Sequence, residues 1–190
     1  ALKEGAVRRS AQRPRLQHSG AKGWIVVLHQ GRIVYERYNG VMKGNQPHIA
    51  MSVTKSFFGL IGQMLVAEGA LDESALVTRY VPELQNSAFA DATIRQVLDM
   101  RTGLKYSENY ADPQAEIWMH ARAGGVLPRP PQYAGPQTFY EFLQTVQKEG
   151  QHGGNFAYKT VNTDLMCWIM KRVTGQGLAE ALSDRIWQKL

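Results

Sequence analysis

Cysteine is nearly absent. Cys167 stands alone in 190 residues, which excludes a disulfide within the chain and leaves the redox compartment open. Its apolar, helical neighbours suggest a core thiol, not a nucleophile. No apolar run reaches the roughly 20 residues of a membrane-spanning helix. Acidic residues are missing between Glu4 and Glu36, where Arg8, Arg9, Arg13, Arg15, Lys22 and Arg32 concentrate much of the net charge of +6. A nucleic-acid arm would carry interleaved aromatics or a recognised binding motif. This leader has neither, so a solvated segment is expected and no nucleic-acid partner. The five histidines (His18, His29, His48, His120 and His152) lack metal-ligand spacing, so most are expected on the surface or in loops, and no metal or other cofactor is implied. No serine sits in a Gly-x-Ser-x-Gly elbow. Gly175-Gln176-Gly177 lacks the third glycine and preceding strand of a dinucleotide fingerprint.

What remains is 44% hydrophobic and 20% charged, the balance of one globular domain or of part of a larger one. Its centre is Ala50-Met51-Ser52-Val53-Thr54-Lys55-Ser56-Phe57-Phe58. Apolar residues from Val53 to Ala67 cover most of a helix circumference, which predicts a helix buried on nearly all sides and stopped near Gly69. Ser52 and Lys55 are spaced i, i+3 and share a face. A lysine at the mouth of such a helix is disfavoured in its charged form unless a partner compensates, and the helix N-terminus favours negative charge on a nearby oxygen. The pair therefore has the composition of an activated nucleophile. The plainer alternative is that Ser52 only caps the helix. Ser-x-x-Lys also occurs at Ser19-Gly20-Ala21-Lys22, where a solvated loop is the natural reading.

Elsewhere the pattern is mainly helical. Residues 24–29 and 32–38 read as two strands joined at Gln30-Gly31, a hairpin. Helices are expected over about 93–100, closed by Gly103, then from Asp112-Pro113 to Gly124-Gly125. Further helices are expected from the Thr138/Glu141 capping box to Gly150, over about 163–174, and over 178–190. The Gly- and Pro-punctuated stretch 124–137 is a lid candidate. This divides the chain into 1–70 (leader, hairpin and Ser52 helix) and 71–190 (mainly helical). A nearly all-apolar helix beside a lone hairpin lacks neighbours, so an N-terminal portion of a longer fold, or a chain that needs another, is expected.

Phe156-Ala157-Tyr158-Lys159-Thr160-Val161-Asn162-Thr163-Asp164 follows a Gly-rich loop and places a tyrosine and an amide ahead of a helix. A tyrosine beside an ammonium can move protons. Ser52-Val53-Thr54-Lys55-Ser56 followed by Tyr158-x-Thr160-x-Asn162-Thr163-Asp164 resembles the serine β-lactamase superfamily: class C β-lactamases, D,D-peptidases and related esterases. Within it, the 6-aminohexanoate-dimer (nylon-oligomer) hydrolases resemble this chain most. Val97-Leu98-Asp99-Met100, the stretch from Tyr106 to Pro113, and Ile169 to Gly175 are further landmarks, and the likeness runs from about Trp24 onward.

The resemblance implies an α+β fold, an antiparallel sheet flanked by helices plus a helical region, of which this chain is the N-terminal portion. It implies a serine hydrolase with Ser52 as nucleophile, Lys55 as its activator and Tyr158 as proton carrier. Tyr110 would contact the substrate's amide region, and Thr160 and Asn162 would line the same cleft. The partners implied are a small ester or amide substrate and the remaining C-terminal part of the protein. Short esters rank first, linear amides second, and β-lactam or peptidoglycan chemistry third. A catalytically inactive binding or scaffold module on the same fold is the rival from another class.

Three departures stand out. Class C enzymes carry asparagine two residues after the tyrosine, where this chain has Thr160. The acidic residue expected after the position matching His120 is Ala121. The late strand bearing Lys-Thr-Gly, which supplies the second oxyanion donor, is not among these residues. Arg101-Thr102-Gly103 only superficially resembles that triad, because it sits at a helix end.

Overall fold

The computed structural model describes residues 23–190. The basic leader, including His18, Ser19 and Lys22, lies outside the described residues. Two compact units meet in sequence at Ile49 and Ala50.

The first unit is the hairpin of β1 (Gly23–His29) and β2 (Arg32–Asn39). Trp24 pairs with Tyr38 and Val27 with Tyr35, and a one-residue irregularity after Val27 puts Leu28 opposite Ile33. Gln30 (φ 49°) and Gly31 (φ 75°) both adopt positive φ, the geometry that matches a two-residue turn to the right-handed twist of its strands. Leu28, Ile33 and Val34 remain exposed.

The second unit is a helical assembly around one central helix. Its elements are α1 (Val53–Ala67), α2 (Ile94–Leu98), the two-residue strand β3 (Leu104–Lys105), α3 (Glu116–Ala123), α4 (Phe139–Thr145), β4 (Gln147–Lys148), α5 (Thr160–Thr174) and α6 (Leu178–Arg185). Single 3₁₀ turns occupy Val77–Arg79, Pro82–Leu84 and Trp187–Lys189. α5 packs against α1, α2, α4 and α6. Val161, Leu165, Ile169 and Met170 of α5 are at most 1% exposed, and they meet Ile61 and Leu65 of α1 and Phe142 and Leu143 of α4 in one core. Each such side chain contributes about 1.5–3 kcal/mol by leaving water.

α1 starts and stops near where the apolar pattern ends. Gly69 (φ 72°) takes the left-handed position after the helix, the Ala70 N–H donates to Leu65 O and the Gly69 N–H to Val66 O, which together form a Schellman stop. The expectation of burial on nearly all sides is corrected. Phe58, Ile61, Gly62 and Leu65 are buried, whereas Val53 is 60% and Leu60 51% exposed. One face of α1 packs on α5 and α6 and the opposite face does not.

Four other expectations shift. α2 is closed not at Gly103 but at Met100, a non-glycine residue at φ 53°, with the Arg101 N–H donating to Gln96 O. Gly103 serves close approach instead: a Cβ there would lie 2.3 Å from Gly150 O. The helix expected from Asp112 begins at Glu116, because Asp112 Oδ1 accepts the Gln114 N–H in a local turn. The helix expected to reach Gly150 stops at Thr145, and Gln147-Lys148 pairs with Leu104-Lys105. Finally, the Thr138 capping box is half built. Thr138 accepts the Glu141 N–H, but Glu141 turns its carboxylate to the Gln137 N–H. The reciprocal box is at Thr93 and Gln96.

Candidate active site

Ser52 stands at the mouth of α1. The backbone turns sharply to place it: Met51 has φ 47°, a left-handed conformation that costs a non-glycine residue about 1–2 kcal/mol. Ser52 occupies the N-cap position, yet its hydroxyl makes no cap hydrogen bond. The Oγ instead pairs with Lys55 Nζ at 3.1 Å. Capping therefore does not explain this serine's side chain. Among the described residues the Ser52 N–H has no hydrogen-bond partner, so a backbone donor also points free at the positive end of the helix.

Lys55 is half-buried, and its Nζ lies 5.3 Å from the centroid of the Tyr158 ring, within cation–π range. Residues 106 positions apart in sequence thus meet over one amine, which touches the Ser52 hydroxyl on one side and the aromatic face on the other. Tyr158 is 44% exposed. Among the described residues no hydrogen bond joins its phenol to Ser52 or Lys55, so their meeting is through the ring.

Tyr110, 64% exposed, sets its ring edge-on to Trp118 at 5.7 Å and donates its O–H to Glu108 Oε2 at 3.2 Å. Desolvation and then the Glu108 charge raise its pKa, with Tyr158 a smaller contributor. Thr160 is the first residue of α5, and its N–H donates to Glu108 Oε1. Asn162 turns inward. It is 1% exposed, its Oδ1 accepts from Thr102 Oγ1 at 2.8 Å, and its Nδ2 has no partner. It forms part of the wall of a recess of about 50 Å³ that Lys55, Phe58, Leu98 and Met166 also line.

Several groups around this site gave no signal in the sequence. His120, in α3, is 2% exposed, which corrects the surface or loop placement for it; His152 lies in a turn as expected but with its side chain 3% exposed, and His29 and His48 are exposed. His120 stacks on Phe142 at 4.6 Å and meets Phe139 edge-on at 4.9 Å. Its Nδ1 pairs with the Tyr106 hydroxyl at 2.8 Å. Asp164 Oδ2 lies 2.9 Å from Nε2 but off the hydrogen-bonding direction, so Nε2 has no hydrogen-bond partner among the described residues. Burial, then Glu108 and Asp164, push the Tyr106 phenol far above its ordinary pKa, so it keeps its proton. Lys159 donates to Leu104 O, and burial lowers its pKa. The lid candidate is stapled by Arg129, whose guanidinium bonds Arg122 O, Ala123 O and Gln137 O, tying both ends of 124–137 together.

Among the described residues no group of His, Cys, Asp or Glu is arranged to hold a metal ion, and no helix is long and apolar enough to cross a membrane.

A family model described as Beta-lactamase matches residues 9–190. The 6-aminohexanoate-dimer hydrolase of Paenarthrobacter ureafaciens is 39% identical over 166 residues, covering 87% of this chain and 42% of that protein. A Bacillus anthracis structure, provisionally assigned as a 6-aminohexanoate-dimer hydrolase, superposes with TM-score 0.80 at 34% identity, covering 87% of this chain and 44% of that one. The D-stereospecific amidohydrolase of a Streptomyces species shares the fold at TM-score 0.62 and 21% identity, with 82% of this chain and 45% of that one covered. The chain thus spans less than half the length of these relatives. Its fold is the α+β fold of β-lactamases, and the chain belongs to the beta-lactamase family.

Proposed function

We propose that the protein is a serine hydrolase that cleaves small ester or linear amide bonds through an acyl-enzyme on Ser52. The observation that carries this is the Ser52 hydroxyl: placed at a helix N-terminus, released from capping, and paired with an amine at 3.1 Å. Lys55 Nζ takes the Oγ proton as Oγ bonds the acyl carbon. The carbonyl oxygen gains negative charge beside the Ser52 N–H, with a second donor supplied by the part of the protein beyond these residues. The proton passes from Lys55 to Tyr158 and on to the leaving oxygen or nitrogen as its bond to the acyl carbon breaks. In the second half, Tyr158 and Lys55 draw a proton from water as its oxygen bonds the acyl carbon, and Ser52 Oγ leaves and regains its proton.

Tyr110 and Thr160, joined through Glu108 beside the segment that carries Tyr158, would touch the substrate. Asn162, turned to Thr102, would support the recess wall behind Lys55. Two relatives named for the 6-aminohexanoate dimer make a linear amide a natural candidate. Ala121 leaves a substrate ammonium without the expected carboxylate partner, which favours short esters first. Thr160 in place of asparagine ranks β-lactams last. Kinetics of the whole protein on short-chain p-nitrophenyl esters, the linear 6-aminohexanoate dimer and nitrocefin test this order. Ester turnover ahead of amide turnover, with nitrocefin last, is expected. Preference for nitrocefin would make the protein a β-lactamase instead, and inertness towards all three would favour the binding module.

A further inference from the structure

Helix α5 begins without a cap of its own. Its N-cap residue, Lys159, makes no side-chain cap bond, and its first turn contains no acidic residue. Four backbone N–H groups and the positive end of a 15-residue helix would normally be met by a local Ser, Thr, Asp or Asn. Here a carboxylate from 52 positions earlier does that work. Glu108 Oε1 accepts the Thr160 N–H, while its Oε2 accepts the Tyr110 hydroxyl. One side chain therefore fixes the phenol of one tyrosine and the backbone two residues after the other. One residue earlier, the Lys159 ammonium is bonded to Leu104 O. The segment carrying Tyr158 is thus held at two points.

We propose that Glu108 is a positioning residue for the proton-transfer step, acting through the start of α5 on Tyr158 and directly on Tyr110. The proposal rests on the acyl-enzyme reading given under Proposed function. It follows that loss of Glu108 harms the reaction most where Tyr158 is needed most. An aryl ester expels p-nitrophenolate, a stable anion that leaves without a proton, whereas an amine leaves an amide only after receiving one. Among the described residues no hydrogen bond or ion pair joins Ser52 or Lys55, both on or beside α1, to Glu108, and the two keep their own pairing.

The test uses the whole protein carrying Glu108→Ala, Glu108→Gln or Glu108→Asp, with Tyr158→Phe as reference, and compares kcat/KM for a p-nitrophenyl ester and for an amide of the same acyl group. Glu108→Ala is expected to lose at least about tenfold more on the amide than on the ester, following the bias of Tyr158→Phe. Glu108→Gln, which keeps an acceptor for the Thr160 N–H, should recover most of the loss. Should the alanine variant fail to fold, Glu108→Asp carries the test, since its shorter side chain withdraws the carboxylate from its two donors and should show the same bias in weaker form. Equal losses on both substrates, or none, while Tyr158→Phe keeps its bias, would overturn the positioning role alone. A Tyr158→Phe variant without that bias would overturn the proton-carrier reading and this proposal together.

Discussion

Lys55 holds Ser52 by one contact and Tyr158 by another, and this shared amine makes specific predictions possible. In the whole protein, Lys55→Ala should lower kcat/KM for the best ester, and Tyr158→Phe should lower that for the amide of the same acyl group, each by about a hundredfold or more, with the circular dichroism spectrum unchanged. Near-normal turnover in either variant would remove that residue from the chemistry. Cys167 offers a test free of any assumption about activity. Burial pushes its thiol from 9.0 up to about 12, with Asp164 adding to the shift and Lys55 opposing it. The folded state thus holds this proton more tightly than the unfolded chain does. The associated stability is fully present below pH 9, and it is lost as pH rises through about 12. Iodoacetamide at pH 8 should accordingly modify Cys167 only after urea is added. Equal rates in the folded and unfolded chain would contradict this shielding of the half-buried thiol. Ser52 and Lys55 were legible in the sequence because a three-residue spacing on a helix is local geometry. Glu108 was not, since the Thr160 N–H it accepts lies 52 positions away and nothing but folding joins them.

Among the elements, the short helix α2 depends on its cap, and α5 depends on its core face. Thr93→Ala removes the arm of the capping box in which Thr93 Oγ1 accepts the Gln96 N–H, leaving the Gln96 side chain on the residue 93 N–H, and should cost about 1 kcal/mol. Leu165→Ala empties a fully buried site and should cost about 2–5 kcal/mol. Urea midpoints with unchanged m-values would check both; a loss at Leu165 no larger than that at Thr93 would contradict the central place of α5. The hairpin and α1 were readable because each is a sustained apolar run, seven residues in β1 and fifteen in α1, bounded by turn or stop signals. β3 and β4 have two residues each, too few for any period, and exist because Gly103 lets the two chains approach. α5 starts three residues earlier than its apolar pattern suggests, because its cap comes from Glu108 and not from its own sequence. The Asp112-Pro113 pair was read as a helix start by the same local logic, and a turn closed by the Asp112 side chain took its place.

At the scale of the molecule, two groups of exposed apolar residues belong to the hairpin and to α1. Leu28, Ile33 and Val34 lie on the hairpin, and Val53 and Leu60 lie on the outer face of α1. Relatives extend to more than twice the matched length, so the whole protein is expected to cover these side chains. The 190-residue chain on its own should then bind the dye ANS strongly, while the whole protein should bind it weakly; equal binding would contradict this. The account as a whole stands on the Ser52 hydroxyl being a nucleophile and not a packing group. Fluorophosphonate treatment of the whole protein, followed by peptide mass spectrometry, measures that directly. The adduct should sit on Ser52, and Lys55→Ala should slow its formation at least tenfold. An intact, folded protein that stays unlabelled at Ser52, or that labels equally fast without Lys55, would contradict it.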